Sequence, residues 1–163
     1  MKQRIAVLSV LAVLPWAGLN AQTTVETTFR VSATVSSVCS ITASSLDFGA
    51  YNTAAASPNL GTTELRATCS PGQTYQIGLT EGTTAGATVN QRKMGSSGSS
   101  TLNYQLYSDS ARSSIWGTTP GTDTVTGVGS GLAVSHTVYG SIPPTQGVPA
   151  AAYSDTITVR LYY

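Results

Sequence analysis

Residues 25–35 alternate between an apolar and a polar face, with Thr27 as the one polar side chain on the apolar face. One face of this pattern consists of the odd-numbered positions: Val25, Thr27, Phe29, Val31, Ala33 and Val35. A period of two residues is typical of a β-strand with one buried face. The pattern therefore predicts a strand of about 11 residues, roughly twice the usual length of 5–6 residues.

The rest of the chain consists of short alternating runs separated by Gly, Pro, Asn and Ser, which favour turns. We expect strands within these runs: "SLDFGAY" (45–51), "TTELRATC" (62–69), "TYQIGLTEG" (74–82), 89–94, "TLNYQLYSD" (101–109), "DTVTGVG" (123–129), "LAVSHTVYGSI" (132–142) and "YSDTITVRLYY" (153–163). No run after residue 21 has a convincing helical period. Short strands at intervals of roughly 8–12 residues predict an all-β sandwich.

The last run has an apolar face that includes Ile157 and Leu161, and we expect it to leave a sheet edge that nothing after Tyr163 covers. Residues 25–35, the arm, either fold back onto their own sandwich or add a strand to another molecule. The linker 36–38 contains no Gly, Asn or Pro for a tight reversal, which favours an arm that points outward. The pattern alone leaves both alternatives open.

The N-terminus predicts export. Lys2 and Arg4 precede an apolar run at 5–14, and Ala21 offers a small residue at a cleavage position, so we interpret residues 1–21 as a signal peptide. The apolar run has 10 residues, whereas a membrane-spanning helix needs about 20.

Charge and cysteine content narrow the class of protein. Without Lys2 and Arg4 the 8 basic residues become 6, against 7 acidic residues, and no basic stripe remains for nucleic acid. Cys39 and Cys69 are the two cysteines of an exported chain, so we predict a disulfide. In the chain-entropy model, closing a loop of about 30 residues contributes roughly 3.5–4 kcal/mol.

The sequence contains no pattern that indicates catalysis, a cofactor or a metal. His136 is the only histidine and lies within an alternating run, which favours a structural role. The aspartates lack metal-ligand spacing: Asp47, Asp109, Asp123 and Asp155. Four aromatic residues offer an alternative, a sugar-binding surface: Tyr104, Tyr107, Trp116 and Tyr139. Positions in the core or on a sheet face are favoured for them. We therefore predict a protein that is not an enzyme.

Several blocks of the sequence resemble one known family. They are "FRVSATVSSVC", "LDFGAY", "ATCSPGQTYQIGL", "RKM", "LNYQLYSDSARSSIWG" and "VYGSIPPTQGVPAAAYSDTITVRLYY". Over almost all of residues 25–163 the chain looks like a spore coat protein U domain, the fold of archaic (Csu-type) chaperone–usher pilus subunits.

The resemblance implies an incomplete immunoglobulin-like β-sandwich at 38–163, preceded by a donor-strand extension at 22–37. It places in the donor strand the following residues: Val25, Phe29, Val31, Ala33 and Val35. It makes the last strand the rim of an open groove and the docking edge for a chaperone, through Ile157, Val159, Leu161 and Tyr163. Thr27 departs from the otherwise apolar donor face, so that end of the donor is expected to bind weakly or to lie outside the groove.

The partners implied are a periplasmic chaperone, an outer-membrane usher and identical or related subunits joined head to tail. The implied function is that of a pilus subunit at the cell surface, in adhesion and biofilm formation. The alternative is a secreted spore-coat or matrix protein of the same fold that does not exchange strands. The two alternatives differ in whether the arm is exchanged between molecules.

Overall fold

The computed structural model describes residues 22–163, and the predicted signal peptide at 1–21 lies outside the described residues. Within 22–163 the regular elements are β-strands, which confirms the all-β prediction, and there is no helix that a bilayer would accommodate as a span. One compact unit comprises Val35–Tyr163. Its strands are β1 (Cys39–Ala43), β2 (Asn59–Cys69), β3 (Thr74–Leu79), β4 (Arg92–Gly95), β5 (Thr101–Tyr107), β6 (Val125–Val128), β7 (Ala133–Ile142) and β8 (Val159–Tyr162).

The strands form two antiparallel sheets. The larger has the order β1-β2-β7-β5-β4 and the smaller has the order β6-β3-β8. The longest pairing joins β2 to β7, from Asn59 opposite Ile142 to Thr68 opposite Ala133. Among the described residues, β1 and β8 are therefore edge strands of different sheets.

The core lies between the two sheets. Alternate residues of β2 (Leu65, Ala67) face alternate residues of β3 (Ile77, Leu79), and all four are buried. Trp116 is fully buried between them, and its indole N–H donates a hydrogen bond of 2.7 Å to the carbonyl oxygen of Ile77. The two inner faces therefore form a β-sandwich with a continuous apolar interior.

Two predicted strands and the first half of a third are wrong for the isolated chain, whereas the second half of the third is β8. Residues 25–35, 45–51 and 153–158 carry no regular strand, although all have strand-like patterns, and the first strand is β1 instead. Alternation measures the propensity for a strand, whereas a strand also needs a hydrogen-bonded neighbour. In the second segment the Asp47 carboxylate accepts the N–H of Gly49 (2.8 Å), whose φ of 64° turns the chain out of an extended path.

The predicted disulfide is present between Cys39 and Cys69, 30 residues apart in sequence. The two cysteines are also direct partners in the β1–β2 register. The bond therefore fastens the first strand of the compact unit, and the linker that precedes it, to the end of β2.

Candidate functional site

A groove opens between the edges of the two sheets. Its first part is a cavity of about 400 Å³ between residues 43–48, which follow β1, and residues 153–159, which lead into β8. The floor of this cavity consists of core residues: Leu65, Leu79, Tyr104, Leu106 and Val138. The hydrophobic interior of the sandwich is therefore reached directly from this side.

The groove continues beyond this first cavity. A second cavity of about 710 Å³ lies between residues 47–53 and 148–153. The two cavities share four lining residues: Leu46, Phe48, Met94 and Tyr153. Residues 43–53 are named here the N-terminal rim and residues 148–159 the C-terminal rim. The two rims run in opposite directions along the groove.

The N-terminal rim rests on two paired glycines. Gly61 of β2 lies opposite Gly140 of β7, and the side chains of Leu46 and Phe48 lie above them. A Cβ atom at Gly140 would lie 2.6 Å from the Phe48 ring, so a larger residue would push the rim away. The Phe48 ring also meets the Tyr104 ring edge-on, with centroids 6.3 Å apart. The glycine pair thus sets the height of the rim above the sheet.

The C-terminal rim is fixed by the carboxylate of Asp155. This group accepts hydrogen bonds from the N–H of Thr83 (2.8 Å) and from the hydroxyl of Tyr104 (2.7 Å). It also accepts the N–H of Thr156 (2.8 Å). A Cβ atom at Gly82 would collide with the carboxylate, so glycine is required there. One acidic side chain thus ties the rim both to the loop after β3 and to the floor.

The Tyr104 hydroxyl remains a donor in this arrangement. Burial raises the pKa of Tyr104 well above its ordinary value, and the hydrogen bond to Asp155 raises it further. Tyr104 is therefore protonated at neutral pH, and its O–H is directed to the carboxylate rather than into the groove.

Main-chain hydrogen bonds hold the C-terminal rim on one side only. Ser154 exchanges bonds of 2.9 and 3.0 Å with Gly95, and the N–H of Thr80 donates to the carbonyl oxygen of Thr158 (3.1 Å). Beyond the rim, β8 pairs with β3. No described strand pairs with the other edge of β8. The groove is therefore bordered by an edge that is able to accept a further strand.

The structure brings together part of the predicted rim. Ile157 and Val159 line the groove. Leu161 is half-buried against the core, and Tyr163 is 63% exposed and does not line the groove. The docking role of all four residues stays a prediction.

The predicted donor residues lie in the described part of the arm and are exposed. The exposed fractions are 91% for Val25, 86% for Phe29, 81% for Val31 and 95% for Val35, and Ala33 is exposed as well. Exposure of a whole alternating apolar face is costly in water. Their donor role stays a prediction.

The other candidate residues have structural contacts. Trp116 and Tyr104 are buried, so the four-aromatic sugar surface does not exist as one surface. His136 is half-buried with its Nε2 2.8 Å from the hydroxyl of Tyr75, and burial lowers the pKa of His136. Asp109 accepts the N–H of Ser114 (2.7 Å) within its own turn. Within residues 22–163 no group of His, Cys, Asp or Glu is arranged to hold a metal ion.

Sequence reasoning missed the role of Arg92. Its side chain is fully buried on β4, beside the groove floor, and it donates to the carbonyl oxygens of Leu79 (2.8 Å), Thr80 (2.8 Å) and Trp116 (2.7 Å). It also donates to the side-chain oxygen of Gln105 (2.6 Å). Burial lowers the pKa of Arg92. The block "RKM" offered no signal of this, because arginine is usually exposed.

Replacement of Asp155 by asparagine tests the C-terminal rim. Asp155→Asn keeps the size of the side chain but replaces one of the two acceptor oxygens with an NH2 group, which cannot accept, so we expect a loss of about 1.5–3 kcal/mol in the free energy of unfolding. Equilibrium unfolding in urea measures it. The matched control is Glu64→Gln, with an expected change under about 0.5 kcal/mol, because this carboxylate is exposed and, among residues 22–163, bonded to Arg66 alone (3.0 Å). Equal effects of the two substitutions would contradict the role of Asp155.

Comparisons with known proteins bear on this groove. The model of the Spore Coat Protein U domain family matches residues 25–160. A curated relative, Protein U of Myxococcus xanthus, is 35% identical in an alignment of 145 positions, and the match covers 80% of this chain and 80% of the relative.

A solved structure is also similar, with a TM-score of 0.57 and 25% sequence identity over 80% of this chain. It is described as the CsuC–CsuE chaperone–tip adhesion subunit pre-assembly complex from archaic chaperone-usher Csu pili of Acinetobacter baumannii. The match spans 40% of that chain.

Proposed function

Because this chain belongs to the spore coat protein U domain family, we propose that it is a structural subunit of a cell-surface pilus assembled by the chaperone–usher route. The family and the structural match are those of chaperone–usher pilus subunits. More specifically, we propose that subunits join by donor-strand exchange, in which the arm of one subunit fills the groove of the next.

The observation that carries this proposal is the groove. Its floor is the hydrophobic core itself, and its rims adjoin β1 and β8, which are edge strands of two different sheets. A sandwich that ends in this way lacks one strand of the length of its rims. The C-terminal rim has about 12 residues and the arm about 11, so the arm is long enough to fill the groove.

The arm has the complementary surface. Its apolar face is 81–95% exposed at Val25, Phe29, Val31 and Val35. Burying each of these side chains contributes about 1–3 kcal/mol, which is an upper estimate. Main-chain hydrogen bonds along the edge contribute about 1 kcal/mol each.

The geometry of the contact favours a filament. A groove on one copy and an arm on another make a head-to-tail contact, and such a contact does not close upon itself unless its rotation forms a ring. Withdrawal of the arm would expose core surface, so the joint is expected to separate very slowly.

The partners follow from the same groove. A periplasmic chaperone would cover the groove until assembly, docking along Ile157, Val159, Leu161 and Tyr163, and an outer-membrane usher would replace it by the arm of another subunit. The solved complex supports the first step, since its description names a chaperone with a pilus subunit. The subunit would then act at the cell surface, in adhesion and biofilm formation.

A second candidate function is that of a secreted spore-coat or matrix protein. The description of the family and the relative Protein U favour it. Such a protein would fold as a monomer without a chaperone and would not exchange its arm.

Limited proteolysis with trypsin distinguishes the two functions. Arg30 lies in the exposed arm, where the backbone is in no strand, so trypsin is expected to cleave there first in the unassembled subunit. In the polymer the arm would be paired, and we expect cleavage after Arg30 to be at least about tenfold slower. Mass spectrometry of the digest follows the loss of the N-terminal fragment.

Arg66 is the internal control for the digestion. Its side chain is 59% exposed, but its backbone lies within the β1–β2–β7 ladder, so cleavage there should be slow in both states. Equal cleavage at Arg30 before and after assembly, or a chain that remains monomeric, would exclude strand exchange and favour the second candidate.

A further inference from the structure

The outward face of the arm carries one acidic residue that is complementary to a basic residue on the outward face of the C-terminal strand. On the arm, Glu26 and Arg30 lie on the polar face and are exposed. On β8, Arg160 lies on the face opposite to the half-buried Val159 and Leu161, and it is exposed. In the part of the chain that the structure describes, neither Glu26 nor Arg160 forms an ion pair.

On the basis of the proposed function, we propose that the arm of one copy pairs antiparallel with residues 151–161 of the next copy, with Glu26 opposite Arg160. This register sets six inward pairs: Val25 with Leu161, Thr27 with Val159, Phe29 with Ile157, Val31 with Asp155, Ala33 with Tyr153 and Val35 with Ala151. All 11 arm residues then lie beside the C-terminal rim or the start of β8.

The direction of the arm follows from the position of Arg160. Because Arg160 lies just past the β8 end of the groove, an antiparallel arm that places Glu26 there continues along the rim toward residue 151. A parallel arm with the same pair would run the other way. Phe29 would then lie opposite Tyr163, outside the groove.

The register is selected by charge. A shift of two residues places Glu26 opposite Thr158 and loses the ion pair. A shift that brings Arg30 opposite Arg160 places like charges side by side, which is unfavourable across a strand pair. A shift of one residue would turn the apolar face outward. An exposed ion pair contributes little to affinity, so its effect is the choice among registers.

The sizes of the side chains fit the same register. Tyr153 lines both cavities and so lies at the boundary between them. The residue opposite this large side chain is Ala33, the smallest apolar residue of the donor face. Phe29, the largest, lies opposite Ile157 above the cavity of about 400 Å³. Val35 lies opposite Ala151 in the second cavity. Asp155, opposite Val31, already has its hydrogen bonds satisfied within its own subunit.

Disulfide trapping between copies tests the register. In the full chain carrying Thr28→Cys and Thr158→Cys, the two new cysteines would be direct outward partners, at a separation that a disulfide spans. We expect a ladder of covalent multimers in non-reducing gels of the assembled protein. The control chain carries Thr28→Cys and Thr156→Cys, a register shifted by two residues, and is expected to remain largely monomeric in the same gels.

The charge pair is tested within the trapping chain. Glu26→Arg should lower the yield of the ladder at least about threefold, and the addition of Arg160→Glu should restore it. A ladder from the shifted pair instead, or a polymer that neither pair traps, would overturn the register while leaving the proposed function intact. A new disulfide within one chain and no multimers would instead overturn strand exchange itself.

Discussion

A chain that lacks residues 25–35 is expected to bind its chaperone and to form no polymer. The deletion removes the donor face but leaves the groove, both rims and the disulfide unchanged. Of the compact unit Val35–Tyr163, it removes only Val35, which belongs to none of these features. The removed side chains account for an upper estimate of about 4–12 kcal/mol of burial at each joint. Size-exclusion chromatography with light scattering measures the assembly, and co-purification measures chaperone binding.

Single substitutions test whether assembly depends on the apolar face of the arm or only on the presence of an arm. Val31→Asp places a carboxylate on the donor face and should abolish assembly, because an unpaired charge would enter an apolar groove. Ser32→Asp is the matched control on the polar face of the arm, and it should assemble like the native chain. A deletion chain that polymerises normally, or equal effects of the two aspartates, would contradict the donor assignment.

The strands of the closed part of the sandwich were predictable because each has two hydrogen-bonded neighbours or one clear buried face. In β2 and β7 the alternation matches the observed burial residue by residue at Leu65, Ala67 and Val138. Apart from the arm and β1, which was not predicted, the predictions failed at 45–51 and 153–158, which border the groove. These segments have the composition of strands but lack a neighbour on one side in the isolated chain. The errors therefore coincide with the site.

The polar contacts of the site could not be predicted from the sequence, for a different reason. Asp155 is bonded to Thr83, which is 72 residues away, and a lone aspartate in an alternating run carries no sign of such a partner. Likewise, the need for glycine at 61 and 140 follows only from the β2–β7 register, which pairs the two residues under Phe48. Alternation predicts which face is buried, whereas these contacts depend on tertiary pairing.

The replacement of Arg92 by methionine is expected to be the most destabilising single change in the compact unit. Arg92→Met retains the volume and the apolar stem but removes every donor of the guanidinium group. The carbonyl oxygens of Leu79, Thr80 and Trp116 would lose these hydrogen bonds in the interior. Because a buried acceptor without a partner costs about 1–3 kcal/mol, we expect a loss of at least about 3 kcal/mol in the free energy of unfolding.

The neighbouring residue Lys93 provides the control for this prediction. It lies on the same strand and is half-buried, and among the described residues its ammonium group makes no ion pair, so Lys93→Met should change the free energy of unfolding by under about 0.5 kcal/mol. Urea unfolding of both variants, with a saturating peptide of residues 25–35 to fill the groove, gives the difference. Arg92→Lys keeps a charge and three donors, and should lie between the two. If Arg92→Met unfolds within about 1 kcal/mol of Lys93→Met, the cost of transferring the arginine out of water cancels the gain from its hydrogen bonds. The stability of the groove floor would then rest on apolar packing alone.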